Sequence, residues 1–218
     1  MNVETFAKGP VASPVPNATR SVLGFTLRSV QLTSGHISYV EEGAGPTIVL
    51  LHGAPLTSLG FMRVIRELRS HYRVIAPDMP GFGYSRASAG FDATLSGYAD
   101  MVVEFCAALR LEQFFLFVND WSGCYGLNAA ARVADRIAGL VVADTVRLPL
   151  DGPAWIVKQI LKHVVSSWLI RLLNRRFNLL PWLVANVAPW LRPLSREERA
   201  VMTAQFDTRE KRDRLIDV

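Results

Sequence analysis

Few residues in this sequence could build a metal centre, a disulfide framework or a membrane anchor. Only two of the 218 residues are cysteines, Cys106 and Cys124, and neither has a metal-ligand spacing with a histidine. Both fall in predicted helices, so we expect buried, reduced thiols, no metal and a cytoplasmic location. The most apolar stretch, residues 179–191, contains two prolines. It is too short to span a bilayer, so no stable membrane insertion is expected.

Charge of one sign is not in large excess, because 24 basic residues face 19 acidic ones. The excess gathers in the last third, and no nucleic-acid-binding motif accompanies it, so we interpret it as a solvated helical face without a nucleic-acid partner. The first 22 residues lack the apolar run of a secretory signal and predict a loose arm. The basic positions concerned are Arg171, Arg175, Arg176, Arg192 and residues 209–214.

Short apolar runs alternate with helical patterns up to about residue 149. The four runs are of the kind found in strands buried on both faces. Strands that alternate with helices predict a parallel sheet with helices on both sides. Ahead of them, residues 25–40 predict two strands joined by a turn at Ser34-Gly35. The four runs are residues 47–51, 72–76, 114–118 and 137–143.

After Pro149 the strand signals end and helical patterns follow, over residues 155–173 and 181–191. Two short helices come next, each opened by a capping box, Ser195 with Glu198 and Asp207 with Glu210. We therefore divide the chain into an arm (1–22), an α/β core (23–149) and an all-helical cap (150–218).

A nucleophile candidate follows the third buried run, in Asn119-Asp120-Trp121-Ser122-Gly123. A nucleophile on a sharp strand-to-helix turn needs small residues two positions to either side, and Val118 and Ser122 meet that need around Asp120. The helix dipole would keep the carboxylate ionised. The alternative is that Asp120 only caps the helix.

Two further segments carry a family resemblance. His52-Gly53-Ala54-Pro55 follows the first buried run, and Asp78-Met79-Pro80-Gly81-Phe82-Gly83-Tyr84-Ser85 follows the second. With the Asp-Trp turn, these motifs resemble the α/β-hydrolase family, in the branch of the haloalkane dehalogenases and epoxide hydrolases. The resemblance covers about residues 35–150. It implies an α/β-hydrolase fold, a mostly parallel sheet flanked by helices, with a helical cap.

The resemblance also implies a mechanism. Asp120 would displace a leaving group from an sp³ carbon to form an aspartyl ester, which an activated water then hydrolyses. The main-chain N–H groups of Ala54 and Trp121 would stabilise the oxyanion, with Pro55 holding the turn. The Trp121 indole would bind a departing halide. The substrates implied are small halogenated compounds or epoxides, with water and without a cofactor.

The choice between dehalogenation and epoxide hydrolysis depends on residue types that the sequence lacks at family positions. Ala54 stands where many haloalkane dehalogenases have a halide-binding Asn, and a cap tryptophan could substitute for it. No tyrosine follows Tyr125, whereas epoxide hydrolases activate their substrate with cap tyrosines. We therefore expect hydrolytic dehalogenation of small haloalkanes, with an epoxide hydrolase as the alternative. The candidate cap residues are Trp155, Trp168, Trp182 and Trp190.

The sequence offers one candidate for the catalytic acid of such a site and no clear candidate for its base. Asp144 matches one family position for the acid, but it could equally begin a turn. No histidine follows a late strand, and His163 lies in the cap. We therefore expect the catalytic histidine beyond residue 218 and the C-terminal part of the core to be missing. The alternative of another class is an inactive or binding-only α/β-hydrolase fragment.

Overall fold

The computed structural model describes residues 20–54, 56–145, 167–186 and 195–204, together with residues 206, 209, 212 and 213. The strands are β1 (Arg20–Val22), β2 (Phe25–Leu32), β3 (Gly35–Glu42), β4 (Thr47–Leu51), β5 (Arg73–Pro77), β6 (Arg86–Ala87), β7 (Phe114–Asp120) and β8 (Ile137–Thr145). The α-helices are α1 (Met62–Leu68), α2 (Leu95–Ala108), α3 (Ser122–Arg132), α4 (Trp168–Phe177), α5 (Leu179–Asn186) and α6 (Arg196–Ala204), with 3₁₀ turns at Ser58–Phe61 and Ala134–Arg136.

One sheet joins all the described strands, in the order β1-β2-β3-β5-β4-β7-β8, with β6 paired to β3. The pairs β5–β4, β4–β7 and β7–β8 are parallel, whereas β1, β2 and β3 join the sheet antiparallel. The chain runs from β4 to β5 on one side and later to β7 on the other. The strand order therefore reverses at β4, and open α/β sheets bind ligands at such a point.

The two faces of the sheet are covered by different helices. Ile48 and Leu50 of β4 belong to a core cluster with Ile65 of α1. Val49 and Leu51 belong to a second cluster, which contains residues of α2 and α3. Successive strand residues point to opposite faces, so a strand buried on both sides needs the continuous apolar run seen here. The prediction of helices on both sides of a mostly parallel sheet is confirmed.

Two local expectations differ from the structure. Arg20–Val22, placed in the loose arm, pairs with β2 as β1, while residues 1–19 lie outside the described part. Cys106 is buried, and burial raises the pKa of its thiol to about 12. Cys124 is not in a disulfide and is only partly buried, because it lies off the stripe of α3 that faces the sheet. That stripe consists of Ser122, Gly123, Tyr125, Gly126 and Ala129.

The structure describes three helices after residue 149, α4, α5 and α6, while the division into a core and a cap stays a prediction. Asn174 is fully buried; its side chain donates to the Arg212 carbonyl and accepts from the Leu180 N–H, which links α4 to α5 and to a later turn. The capping box at α6 is present, since Ser195 and Glu198 each accept from the main-chain N–H of the other. The second capping box, at Asp207 and Glu210, lies outside the described residues.

None of the helices in the described segments combines the length and the apolar character that crossing a bilayer requires.

Candidate active site

The candidate site lies where β4 and β7 end side by side. Leu51 at the end of β4 pairs with Val118 of β7 in parallel register. The loop after β4 carries His52, Gly53 and Ala54, and β7 runs directly into Asp120. Parallel strands thus bring His52 and Asp120, which are 68 residues apart in sequence, to one edge of the sheet.

Asp120 occupies a sharp bend between β7 and α3. Its φ of 49° is in the left-handed region, which is uncommon for a residue other than glycine. Ser122 anchors the bend: its hydroxyl donates to the carbonyls of Leu51 and Asn119, and it accepts from the Asn119 N–H. The need for a small buried residue at position 122 has this physical basis, because only a short hydroxyl side chain fits there and satisfies these groups.

The Asp120 carboxylate lies against the loop that follows β4. A Cβ placed on Gly53 would lie 2.2 Å from Oδ2 of Asp120, so the carboxylate fills the space that glycine leaves. Burial raises the pKa of Asp120, and the adjacent main-chain N–H of Trp121, which favours the ionised carboxylate, opposes the rise. Desolvation therefore outweighs the stabilisation that the helix terminus was expected to give.

His52 is buried and held in one tautomer. The main-chain N–H of Met79 donates to Nε2 at 3.0 Å, so Nε2 carries no proton and Nδ1–H donates to the Gly53 carbonyl at 3.0 Å. Burial lowers the pKa of His52, in keeping with a neutral ring. The Gly53 carbonyl also accepts from the Leu56 N–H at 2.9 Å, so the peptide group that carries the Ala54 N–H is fixed from two directions.

Asp78 stabilises the loops that surround His52. It is fully buried and accepts hydrogen bonds from the main-chain N–H groups of Ser58 and Tyr84, each at 2.8 Å. A Cβ on Gly83, which has a φ of 52°, would lie 2.1 Å from Oδ2 of Asp78. Burial raises the pKa of this carboxyl. Asp78 thus ties together the loops after β4 and β5, and the glycine pattern of its motif leaves room for it.

A mostly apolar cavity of about 240 Å³ is lined by Gly53 and Trp121, which are neighbours of Asp120, whereas Asp120 itself is not among its lining residues. Its lining includes Trp121 and Ala54, two residues that the sequence singled out. The sequence did not identify the residues that α2 contributes, because the helical period marks them only as apolar or small. The Tyr125 hydroxyl donates to the His52 carbonyl. The lining residues are His52, Gly53, Ala54, Met79, Phe82, Ala93, Thr94, Leu95, Tyr98, Trp121 and Tyr125.

Asp144 does not share this environment. It is solvent-exposed and has a φ of 40°, at a point where the β7–β8 register shifts so that Asp120 pairs with Thr145. Thr145, which the sequence did not single out, donates from Oγ1 to the Asp120 carbonyl at 2.8 Å. In the sequence, Thr145 is distinguished only as a polar residue at the end of an apolar run. The role of Asp144 as the acid stays a prediction.

The described histidines supply no free base beside Asp120. His36 lies on β3 and His71 follows α1, and both are exposed, while both ring nitrogens of His52 are bonded to the main chain. His163, the tryptophans at 155 and 190 and Pro55 lie outside the described residues. Trp168 and Trp182 are described and exposed. Among the residues with described positions, no group of three or more His, Cys, Asp or Glu could hold a metal ion.

Comparisons with known proteins agree with this architecture. The family model for the α/β hydrolase fold matches residues 46–180. Haloalkane dehalogenase 2 of Mycobacterium tuberculosis is 36% identical over 127 residues, which are 58% of this chain and 44% of that protein. The chain thus spans less than half the length of this curated relative.

Two solved structures share the fold. Haloalkane dehalogenase DbeA from Bradyrhizobium elkani superposes with a TM-score of 0.69 at 24% identity, over 92% of this chain and 67% of that one. A protein described as an epoxide hydrolase, from Pseudomonas aeruginosa, gives 0.75 at 20% identity, over 90% and 69%. The sheet order, the bend at Asp120 and these matches lead to one assignment: the chain belongs to the α/β-hydrolase family.

Proposed function

We propose that Asp120 is the nucleophile of a hydrolytic dehalogenation of small haloalkanes. An Asp120 carboxylate oxygen attacks the carbon bearing the halogen, a C–O ester bond forms, and the halide leaves with the electrons of the C–halogen bond. The observation that carries this proposal is the carboxylate itself, which is half-buried and packed against Gly53, between two residues, Gly53 and Trp121, that line an apolar cavity. A helix cap alone would not need that environment.

The surroundings suit both halves of the reaction. The amides proposed to stabilise the oxyanion that forms when water adds to the ester are those of Ala54, which follows the Gly53 that Asp120 packs against, and of Trp121, which follows Asp120. Trp121 lines the cavity and is proposed to donate its indole N–H to the departing halide. A cavity of about 240 Å³ suits a small substrate.

The alternative, epoxide opening, needs a hydroxyl or other acid that protonates the departing oxygen. Two tyrosines line the cavity, Tyr98 and Tyr125, but the Tyr125 hydroxyl already donates to the His52 carbonyl. Breaking that bond would leave a buried acceptor unsatisfied, which costs about 1–3 kcal/mol. This argues against Tyr125 as the acid that epoxide opening would need.

The 218-residue chain is proposed to complete only the first step. Ester hydrolysis needs a base to activate water, and the described histidines offer none beside Asp120. We therefore expect one alkylation per molecule, with one halide released, and no further turnover.

The test is incubation of the full chain with a small bromoalkane, followed by peptide mass spectrometry and halide measurement. An adduct on Asp120, absent from Asp120→Asn, with one halide per chain is expected. Sustained halide release by this chain would contradict the proposed stop at the ester. An adduct with an epoxide but none with any haloalkane would replace the dehalogenase proposal by epoxide hydrolysis.

A further inference from the structure

The direction of the Trp121 N–H is coupled to the Asp120 carbonyl. These two groups belong to the same peptide unit, which is planar, so the C=O and the N–H point in opposite directions. A group that hydrogen-bonds the Asp120 carbonyl oxygen therefore also fixes the direction in which the Trp121 N–H points on the cavity side.

Thr145 holds that carbonyl. Its Oγ1 donates to the Asp120 oxygen at 2.8 Å. The contact depends on the end of β8, where the register shifts between Asn119 and Asp120, so that Asp120 pairs with Thr145 and Asp144 is passed over. A bulge of this kind re-aims the side chain that follows it, here towards the bend.

The first turn of α3 is shaped to receive the hydroxyl. A Cβ on Gly123 would lie 1.5 Å from Oγ1 of Thr145 and 2.7 Å from its Cβ. Any other residue at 123 would displace Thr145. The fit of the glycine to the threonine side chain is specific to this pair, and it lies beside a residue whose φ of 49° must be maintained by its neighbours.

We propose that Thr145 is a positioning residue, which through the Asp120 carbonyl keeps the Trp121 N–H directed at the Asp120 side chain. In the ground state the Trp121 N–H, held in this direction, orients the Asp120 carboxylate. During ester hydrolysis the same N–H would meet the developing oxyanion. The catalytic consequence depends on the proposed function, but the orientation itself does not.

The test uses two variants of the full chain that separate the hydroxyl from the shape of the side chain. Thr145→Val removes the donor at nearly constant volume, and Thr145→Ser keeps it. Carbon NMR of labelled aspartate gives the pKa of Asp120 in each. We expect a rise of roughly half to one pH unit in Thr145→Val, because the carboxylate loses a well-aligned donor, and no change in Thr145→Ser.

The control is Thr203→Val, which removes a hydroxyl that donates to main-chain carbonyls in α6, and it should leave the Asp120 pKa unchanged. Thermal unfolding establishes that each variant is folded, and Thr145→Ala removes the same donor if the valine variant does not fold. An Asp120 pKa that is the same in wild type and in a folded variant without the hydroxyl overturns the proposal. An equal shift in Thr145→Ser also overturns it.

A second measurement separates this inference from the proposed function. If wild type forms the Asp120 adduct, its loss in alkaline buffer should be about tenfold slower in Thr145→Val than in wild type or Thr145→Ser, since the oxyanion loses an aligned amide. Equal rates would remove the catalytic part of the inference. If wild type forms no adduct, the proposed function fails and the titration alone decides the positioning role.

Discussion

Gly53 and Asp120 share a space that only one side chain can occupy. A Cβ on Gly53 would lie 2.2 Å from Oδ2, 2.6 Å from Cβ and 2.7 Å from Cγ of Asp120. The constraint is spatial, since Gly53 is not among the glycines with positive φ. The missing side chain lets the carboxylate lie against the peptide that carries the Ala54 N–H.

Gly53→Ala should therefore displace the carboxylate while leaving the fold intact. The side chain of Asp120 can rotate away, so the loss falls on reactivity: alkylation of Asp120 by a bromoalkane should slow by about 100-fold or more, as misplacement by 1 Å does in other enzymes. The rate is measured by mass spectrometry against time. Gly90→Ala is the matched control, because nothing lies within 4 Å of a Cβ there. Wild-type alkylation by a folded Gly53→Ala chain would contradict this account.

Asp120→Asn should stabilise the protein at neutral pH. The raised pKa means that folding favours the protonated carboxyl, so ionisation of Asp120 costs stability as pH rises above the ordinary aspartate pKa of 3.8. Because the group is only half-buried, we expect a gain of about 1 kcal/mol, or roughly 2–4 °C in Tm.

The difference in Tm should shrink as pH falls towards 3.8, because the Asp120 carboxyl of the folded protein becomes protonated and is then neutral like the asparagine. Thermal unfolding followed by circular dichroism between pH 4 and pH 8 measures it. A variant that is less stable than wild type at pH 7 would show that the carboxylate is not under the desolvation described here.

The sheet was predictable because each buried strand has a continuous apolar run bounded by turn residues. The run at residues 47–51 became β4 with the same bounds. The pairing of β1 was not predictable, because a three-residue edge strand has no periodicity to detect. The partial exposure of Cys124 was missed because a helix of small residues does not reveal which face meets the sheet.

The site was predictable only where a motif has fixed geometry. The turn at Asp120 and the loop at Ala54 follow directly from the ends of two strands. Thr145 could not be foreseen, because its contact depends on a register shift that places Asp144 in a left-handed conformation. The direction of the Asp120 pKa was also unforeseen, since desolvation depends on packing around the site.

His52 should make the protein sensitive to mild acid. Its pKa is lowered, chiefly by burial, so the unfolded state takes up a proton below about pH 6.5 that the folded state resists. The stabilisation is present above that pH and is lost as pH falls, by up to about 1.4 kcal/mol per pH unit. Urea unfolding at several pH values measures the slope.

The non-titrating variant His52→Gln should be less stable at pH 7 but show a flatter dependence between pH 6.5 and pH 5. His71→Gln, at an exposed position, is the control and should keep the wild-type slope. An unchanged slope in His52→Gln would mean that another group causes the loss of stability at acid pH.

The β8 edge should make the chain self-associate. In the described part of the sheet β8 pairs only with β7, and Leu140, Val141 and Val142 are 44%, 46% and 49% exposed. An apolar strand with an unpaired side is a template for pairing with another chain, and a lysine on such an edge opposes it. Val141→Lys should therefore lower the concentration-dependent light scattering of the 218-residue chain. Val64→Lys, at a 41% exposed valine of α1, adds the same charge away from the edge and should have a smaller effect. An equal decrease in light scattering in the two variants would show that the added net charge, and not the strand edge, causes the effect.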